Sequence, residues 1–400
     1  KGIIHLGMTS QDVVCNADFL LHLEAVATVA HKVIRVVVSL GELGKRHASM
    51  PTLSFTHYQP AQPLTVGRRC VQWAHDLYLC ESRLWTSYEA PRGLRGATGT
   101  QASFLALFGG DNKNVQGLDG RVFWKLKQSM GACWPETLTM FLQLTAQTYP
   151  RVIDTFILGS LASVASVLHK IATDIRLLCN RKELDEPFED KQIGSSAMPY
   201  KRNPMRCERI CGLARFVMNL VGNAYDTAAT QWLERTLDDS SNRRLSLPEA
   251  FLALDGALDL MHNVASGLIV HEAMVKKNLM AELPFMATEN IMMECVKLGG
   301  DRQHYHELIR QHAQAAGLRV KQEGLDNDLL DRLKNDKNFW SKARGGPLSA
   351  ELNWDGVMDP MKYIGRSVEQ TERFIKEVVE PLREQYKDAI ATLGKSGPRV

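Results

Sequence analysis

Two adjacent hydroxyls, Ser195 and Ser196, stand a few residues before a cation, Lys201, and an amide, Asn203. Gly194 gives this stretch backbone freedom, and Pro199 and Pro204 exclude helix from it. A loop of this kind can place an oxygen base, a run of backbone N–H groups and a positive charge around one small anion. It can equally be an ordinary polar connector. A second group lies in 51–65, where three prolines fix a loop and His57 sits close to Thr56 and Gln59. Polar neighbours there can orient an imidazole for proton transfer, although a lone histidine is more often structural. In 231–244, Arg235, Ser240 and Arg244 fall at intervals of five and four residues and can converge on one anion. The planar guanidinium fork suits phosphate; the alternative is that Asp238 and Asp239 simply pair with the arginines. Gly7, Thr9 and Ser10 precede Asp12 and read as a helix N-cap, a carboxylate-binding corner, or both, since hydroxyls at a helix start already face an anion.

Long helices must position these groups. From Ala17 to Ala48 apolar residues recur at 19, 20, 23, 26, 27, 30, 33, 34, 37 and 38, a helical spacing that spans roughly 45 Å. Residues 65–90 continue in the same way, with Val66, Cys70, Trp73, Leu77 and Leu84 on one face. Segments 152–179, 205–228 and 247–270 complete a set of helices long enough to form a bundle. From about His271 the elements shorten and charge increases, and 318–360 is polar with a Gly345-Gly346-Pro347 break. No period-two run and no internal repeat stands out. The expected fold is all-α: residues 1–9 as the remnant of an N-terminal domain, 10–270 as a central long-helix bundle with the polar loop 191–204, and 271–400 as a smaller C-terminal helical domain.

Composition narrows the function classes. A hydrophobic share of 44%, a charged share of 23% and a net charge of +3 over 400 residues describe a globular chain with no basic run for nucleic acid. Eight cysteines are scattered without a Cys-x-x-Cys pair, and there is no His-Glu-x-x-His, so neither disulfide framework nor metal site is expected. Reduced thiols point to the cytoplasm. Residues 152–168 come nearest to a membrane span, but Asp154 and the repeated Ser and Gly favour a buried helix. The Gly-rich 91–117 lacks a Walker pattern.

The stretch Gly194-Ser195-Ser196-Ala197-Met198-Pro199-Tyr200-Lys201-Arg202-Asn203-Pro204 resembles the signature loop of the fumarase/aspartase superfamily, whose members release fumarate or a relative from a succinyl group. Tyr200-Lys201-Arg202 is more similar to the adenylosuccinate lyase family than to fumarases or argininosuccinate lyases. Thr56-His57-Tyr58-Gln59, Thr98-Gly99-Thr100-Gln101, the run 231–244 and Leu283–Asn290 resemble further blocks of that family, so the resemblance covers nearly the whole chain. The part around Cys133-Trp134-Pro135 departs from it.

The resemblance implies roles. Ser195 would be the general base, with its alkoxide stabilised by backbone N–H groups and Lys201. Lys201 and Asn203 would stabilise the doubly charged, enolate-like carboxylate that forms on proton removal. His57 would donate a proton to the leaving nitrogen. Thr9, Ser10, Thr56, Gln147 and Arg209 would touch substrate, Thr98 to Gln101 would line the site, and Arg235, Ser240 and Arg244 would hold a nucleotide 5′-phosphate. No metal or organic cofactor would be needed. The partners would be a small-molecule nucleotide and three further copies of the chain, in a homotetramer whose sites each combine residues from three subunits, without nucleic acid or membrane. The family places another helical domain with a second active-site histidine before this point, and the first residue here is Lys, so a preceding segment is expected. Competing readings are another fumarate-releasing lyase, a carboxymuconate-type cycloisomerase, and a catalytically silent, crystallin-like homologue.

Overall fold

The computed structural model describes residues 2–131, 134–188, 198, 200–339 and 352–393. Gly194, Ser195, Ser196, Pro199 and the Gly345-Gly346-Pro347 break lie outside them. The described residues are predominantly helical, as the apolar spacing requires. Helix α1 runs Ser10–Arg46, α2 Val66–Trp85, α3 Ala102–Leu107, α4 Asn112–Met130, α5 Val152–Asn180, α6 Met205–Ala229 and α7 Asp239–Gly267. The remaining helices are shorter: α8 Glu272–Met286, α9 Thr288–Lys297, α10 Arg302–Leu318, α11 Leu329–Asn335, α12 Trp354–Val357, α13 Ser367–Phe374, α14 Glu380–Gln385 and α15 Lys387–Thr392.

The core is a bundle of α1, α2, α5, α6 and α7, in which α1, α5 and α7 run in one direction and α2 and α6 in the other. On α5, Ile157, Leu161, Val164, Leu168, Ile171 and Ile175 recur at three- and four-residue steps and are essentially fully buried. Each contributes about 1.5–3 kcal/mol through burial. By length and composition alone, Ser10–Arg46 and Val152–Asn180 could cross a membrane; here their apolar faces form the bundle core. Polar ties fix helix register within that core. Lys32 of α1 reaches Asp255 and Asp259 of α7 at 2.7 and 2.8 Å, Arg35 reaches Asp259 at 2.6 Å, and the Trp73 indole of α2 donates to Asp174 of α5 at 2.8 Å.

Helix α1 begins seven residues before the expected Ala17. Thr9 is its N-cap, and the Thr9 N–H donates to the Asp12 carboxylate at 2.8 Å. A larger correction concerns 51–65. This proline-rich stretch is a hairpin rather than a loop, with β1 Pro51–Thr56 paired antiparallel to β2 Gln59–Thr65. An isolated two-stranded ribbon has free edges that need no donor, so proline is tolerated there. A second small pair, β3 Leu184–Asp185 with β4 Ile269–Val270, ties the end of α5 to the end of α7. Residues 287–357 gather a separate apolar cluster around Tyr305, Phe339, Leu329 and Leu333, while α13 to α15 return to pack on α1 and α2.

Candidate active site

The bundle has two polar ends, and the candidate residues are divided between them. At the end where α5 starts, Asp12 is the organising group. Its buried carboxylate accepts the Arg92 guanidinium, the Arg95 N–H at 2.7 Å and the Gly96 N–H, locking the 92–101 loop onto the start of α1 beside Thr9 and Ser10. Arg92 also donates to the Ala146 carbonyl at 3.0 Å, and the Gln147 side chain donates to the Ala97 carbonyl at 2.9 Å. Gly99 has φ +86°, and a Cβ there would lie 1.9 Å from the Thr145 carbonyl oxygen, so the loop's approach to 145–147 requires glycine. The Gln147 N–H in turn donates to the Glu234 carbonyl at 3.2 Å. A continuous set of contacts therefore joins Thr9, Gln147 and the turn that carries Arg235.

Arg235 lies in that turn. Its Nε donates to the Thr236 carbonyl at 3.1 Å and its Nη2 to Asp239 at 3.3 Å, while its Nη1 is buried without a hydrogen-bond partner. The Asp–Arg pairing considered from sequence is thus present and still leaves one guanidinium donor free. Ser240 and Arg244 follow one turn apart on α7, with Ser240 half-buried and Arg244 exposed. The neighbouring Arg243 is fully engaged by Asp154 at 2.5 Å, Asp18 at 3.3 Å and the Tyr149 hydroxyl. Burial and the adjacent Asp154 push the Tyr149 phenol well above its usual range. Of the two consecutive arginines, Arg243 is committed to the interior and Arg244 faces outward.

The other end gathers around the finish of α5. There the hairpin tip Thr56-His57-Tyr58-Gln59 is exposed, with His57 and Tyr58 both in the left-handed region at φ 52° and 57°. Two consecutive non-glycine residues in that region store strain, a feature that clusters at functional sites. Arg181, the residue after α5, stacks on Phe55 at 4.7 Å and holds the hairpin here. Glu186 accepts the Arg206 and Cys207 N–H groups at 3.0 and 2.7 Å, capping α6 immediately after the Lys201–Pro204 segment. Lys201 is exposed, Asn203 half-buried, and Arg209 exposed one turn into α6. Arg202 is drawn aside, stacking on Phe188 at 4.7 Å with Asp185 at 3.9 Å.

Helix α5 separates the two ends. Its 29 residues span about 43 Å, more than a nucleotide can bridge. One chain therefore brings Thr9, Ser10, Gln147, Arg235 and Ser240 to one end, and Thr56, His57, Lys201 and Asn203 to the other.

Known proteins resemble the chain over nearly its whole length. A lyase family model matches residues 1–219, and the adenylosuccinate lyase C-terminus model matches 284–374. The chain is 48% identical over 393 residues to the adenylosuccinate lyase of Schizosaccharomyces pombe, covering 98% of this chain and 78% of that one. The chain belongs to the adenylosuccinate lyase family. The family's Saccharomyces cerevisiae member is 44% identical over 386 residues, covering 94% of this chain and 75% of its own. In fold, the chain resembles the 3-carboxy-cis,cis-muconate lactonizing enzyme of Pseudomonas putida, with a TM-score of 0.75 at 22% identity over 94% of this chain and 77% of that one. Within this all-α, fumarase/aspartase-like frame, sequence reasoning passed over Arg151, Glu186 and the organising part of Asp12, and named Asp239 only as a partner for the arginines near it. Asp12 had a readable signal, an acid three residues after Thr9, the capping-box spacing. The other three are defined by partners distant in the chain.

Proposed function

We propose that the protein is a C–N lyase that eliminates fumarate from adenylosuccinate to give AMP, and from the related succinylated imidazole carboxamide ribotide. The observation that carries this reading is the 48% identity, sustained over 98% of the chain, to an adenylosuccinate lyase. Ser195 removes the proton beside the succinyl carboxylate. Lys201 and Asn203 stabilise the charge that accumulates on that carboxylate. His57 donates a proton to the leaving nitrogen, and the C–N bond breaks. Arg235, Ser240 and Arg244 hold the 5′-phosphate, with the free Arg235 Nη1 as one donor. Thr9, Ser10, Thr56, Gln147 and Arg209 contact the rest of the substrate.

The chain works as a homotetramer, each site taking residues from more than one copy. What supports this is the separation of His57 and Lys201 from Gln147 and Arg235 by the length of α5, which leaves either end incomplete without another chain. Incubation with adenylosuccinate, with chromatography of the products, tests the activity. Equimolar AMP and fumarate are expected. A folded, oligomeric protein that releases neither would overturn the reading, as would turnover of a carboxymuconate instead.

A further inference from the structure

Behind the proposed phosphate-binding residues lies a buried ionic network that the reaction does not use directly. Asp239, 1% exposed at the start of α7, takes Arg235 on one carboxylate oxygen at 3.3 Å and Arg151 on the other at 2.6 Å. Arg151 immediately precedes α5, and its guanidinium lies 4.5 Å from the Tyr149 ring centroid. The Tyr149 hydroxyl donates to Asp154 at 2.7 Å, and Asp154 with Asp18 secures Arg243. Three guanidiniums (Arg151, Arg235, Arg243) face three carboxylates (Asp18, Asp154, Asp239), so the set is electrically balanced. Satisfaction is uneven, however. Arg243 has an acceptor on each of its three nitrogens, whereas Arg151 and Arg235 each keep a buried, unpartnered Nη1, and of these two only Arg235 lies in the turn beside Gln147 and Ser240.

We propose that Asp239 is a positioning residue for substrate phosphate: it clamps the Nη2 of Arg235 so that Nη1 points at the anion, and Arg151 holds Asp239 in that orientation. An unclamped arginine side chain would have to be ordered on binding, whereas this one is ordered in advance. A neutral amide at 239 keeps the shape and loses the charge that fixes both arginines. The inference rests on the phosphate role proposed above for Arg235.

The test is steady-state kinetics of Asp239→Asn, Arg235→Gln and the double variant, on adenylosuccinate and on its dephosphorylated nucleoside. The readout is the ratio of kcat/KM between the two substrates. Asp239→Asn should lower the preference for the phosphorylated form at least about tenfold, the scale of one charge-assisted hydrogen bond. The double variant should lose little beyond Arg235→Gln alone, because the two residues act as one unit. If Asp239→Asn slows both substrates equally, or its effect adds in full to that of Arg235→Gln, Asp239 is structural only and the proposal falls. If Arg235→Gln itself leaves the preference unchanged, the phosphate role of Arg235 is wrong and takes the proposal with it. Should Asp239→Asn not fold, Arg151→Lys retains charge while loosening the hold on Asp239. It should lower the same ratio about threefold, and an unchanged ratio with a lowered Tm would count against the proposal.

Discussion

The separation of the candidate residues along α5 can be tested by mixing two inactive proteins. Arg151 and Arg181 mark the two ends: the first is bound to Asp239 at 2.6 Å, and the second stacks on Phe55 of the hairpin at 4.7 Å. Thirty residues of helix at 1.5 Å each put these anchors about 45 Å apart. If a site takes His57 from one chain and Arg235 from another, neither His57→Ala nor Arg235→Ala can act alone, yet a hybrid oligomer contains some intact sites. With subunits mixed one to one at random, a site receives an unaltered His57 half the time and an unaltered Arg235 half the time. Independent chains then give about one quarter of wild-type activity. The assay is fumarate release after the two variants are dissociated together and reassembled. Gln147→Ala mixed with Arg235→Ala is the contrasting pair. Gln147 is hydrogen-bonded to Glu234 of its own chain at 3.2 Å, so one copy supplies both residues and no recovery is expected. Absence of recovery in the first mixture, or a quarter of full activity in the second, would refute the division of the site.

Glu186→Gln should lower stability by about 2–4 kcal/mol in urea unfolding, since it weakens two charge-assisted bonds to buried N–H groups and removes a charge from the start of α6. A loss below about 1 kcal/mol would show that the cap is minor. Burial and the facing Arg35 guanidinium, partly offset by Asp259, bring the His262 imidazole down to about 4, and its Nδ1 lies 3.0 Å from the Ser39 hydroxyl. Unfolded histidine titrates near 6.5, so the unfolded chain takes up a proton that the native ring refuses, and stability falls as pH drops from about 6.5 to about 4. His262→Gln should flatten that part of the stability profile, and parallel curves for the two proteins would reject the assignment. Ser195→Ala should nearly abolish turnover with affinity largely kept, while Ser196→Ala is milder; the reverse order in single-turnover kinetics would make Ser196 the base. Arg244→Lys keeps charge but loses the fork and should cost about 1–3 kcal/mol of transition-state stabilisation, read as lost preference for the phosphorylated substrate.

The bundle was legible in the sequence because its signal is local and repeated. Ile157, Leu161, Val164, Leu168, Ile171 and Ile175 announce one buried face without reference to any other segment. The hairpin was hidden because its local signals conflict. Pro51 and Pro60 fall within the paired strands, Pro63 falls in the bulge, and the turn carries His57-Tyr58 where glycine or asparagine is usual. The chemistry-bearing residue types stood out individually, yet their grouping did not. Nothing near Arg235 in sequence indicates that Asp239 also serves Arg151, 88 residues away, or that Arg243 rather than Arg244 turns inward to Asp154. Division of the site between two ends becomes visible only when the helices have length and direction.

The two ends solve different physical problems. Burying three guanidiniums and three carboxylates is a poor route to stability, because desolvation can exceed the Coulombic gain and a well-packed apolar core would serve as well or better. The network at the start of α5 therefore makes more sense as a device for orientation. It fixes Arg235 before any ligand arrives and leaves one donor free. At the finish of α5 the buried Glu186 caps α6, while His57, on a strained turn, and Lys201 stand exposed. An imidazole and an ammonium in water are weak catalysts, since solvent screens the charges they would stabilise. They need a dry, low-dielectric surrounding, and the apolar body of another copy can supply it. In the proposed oligomer the anion-holding end is preorganised within each chain, and the proton-transferring end acquires its environment on assembly. Catalysis then depends on oligomerisation more steeply than phosphate recognition does.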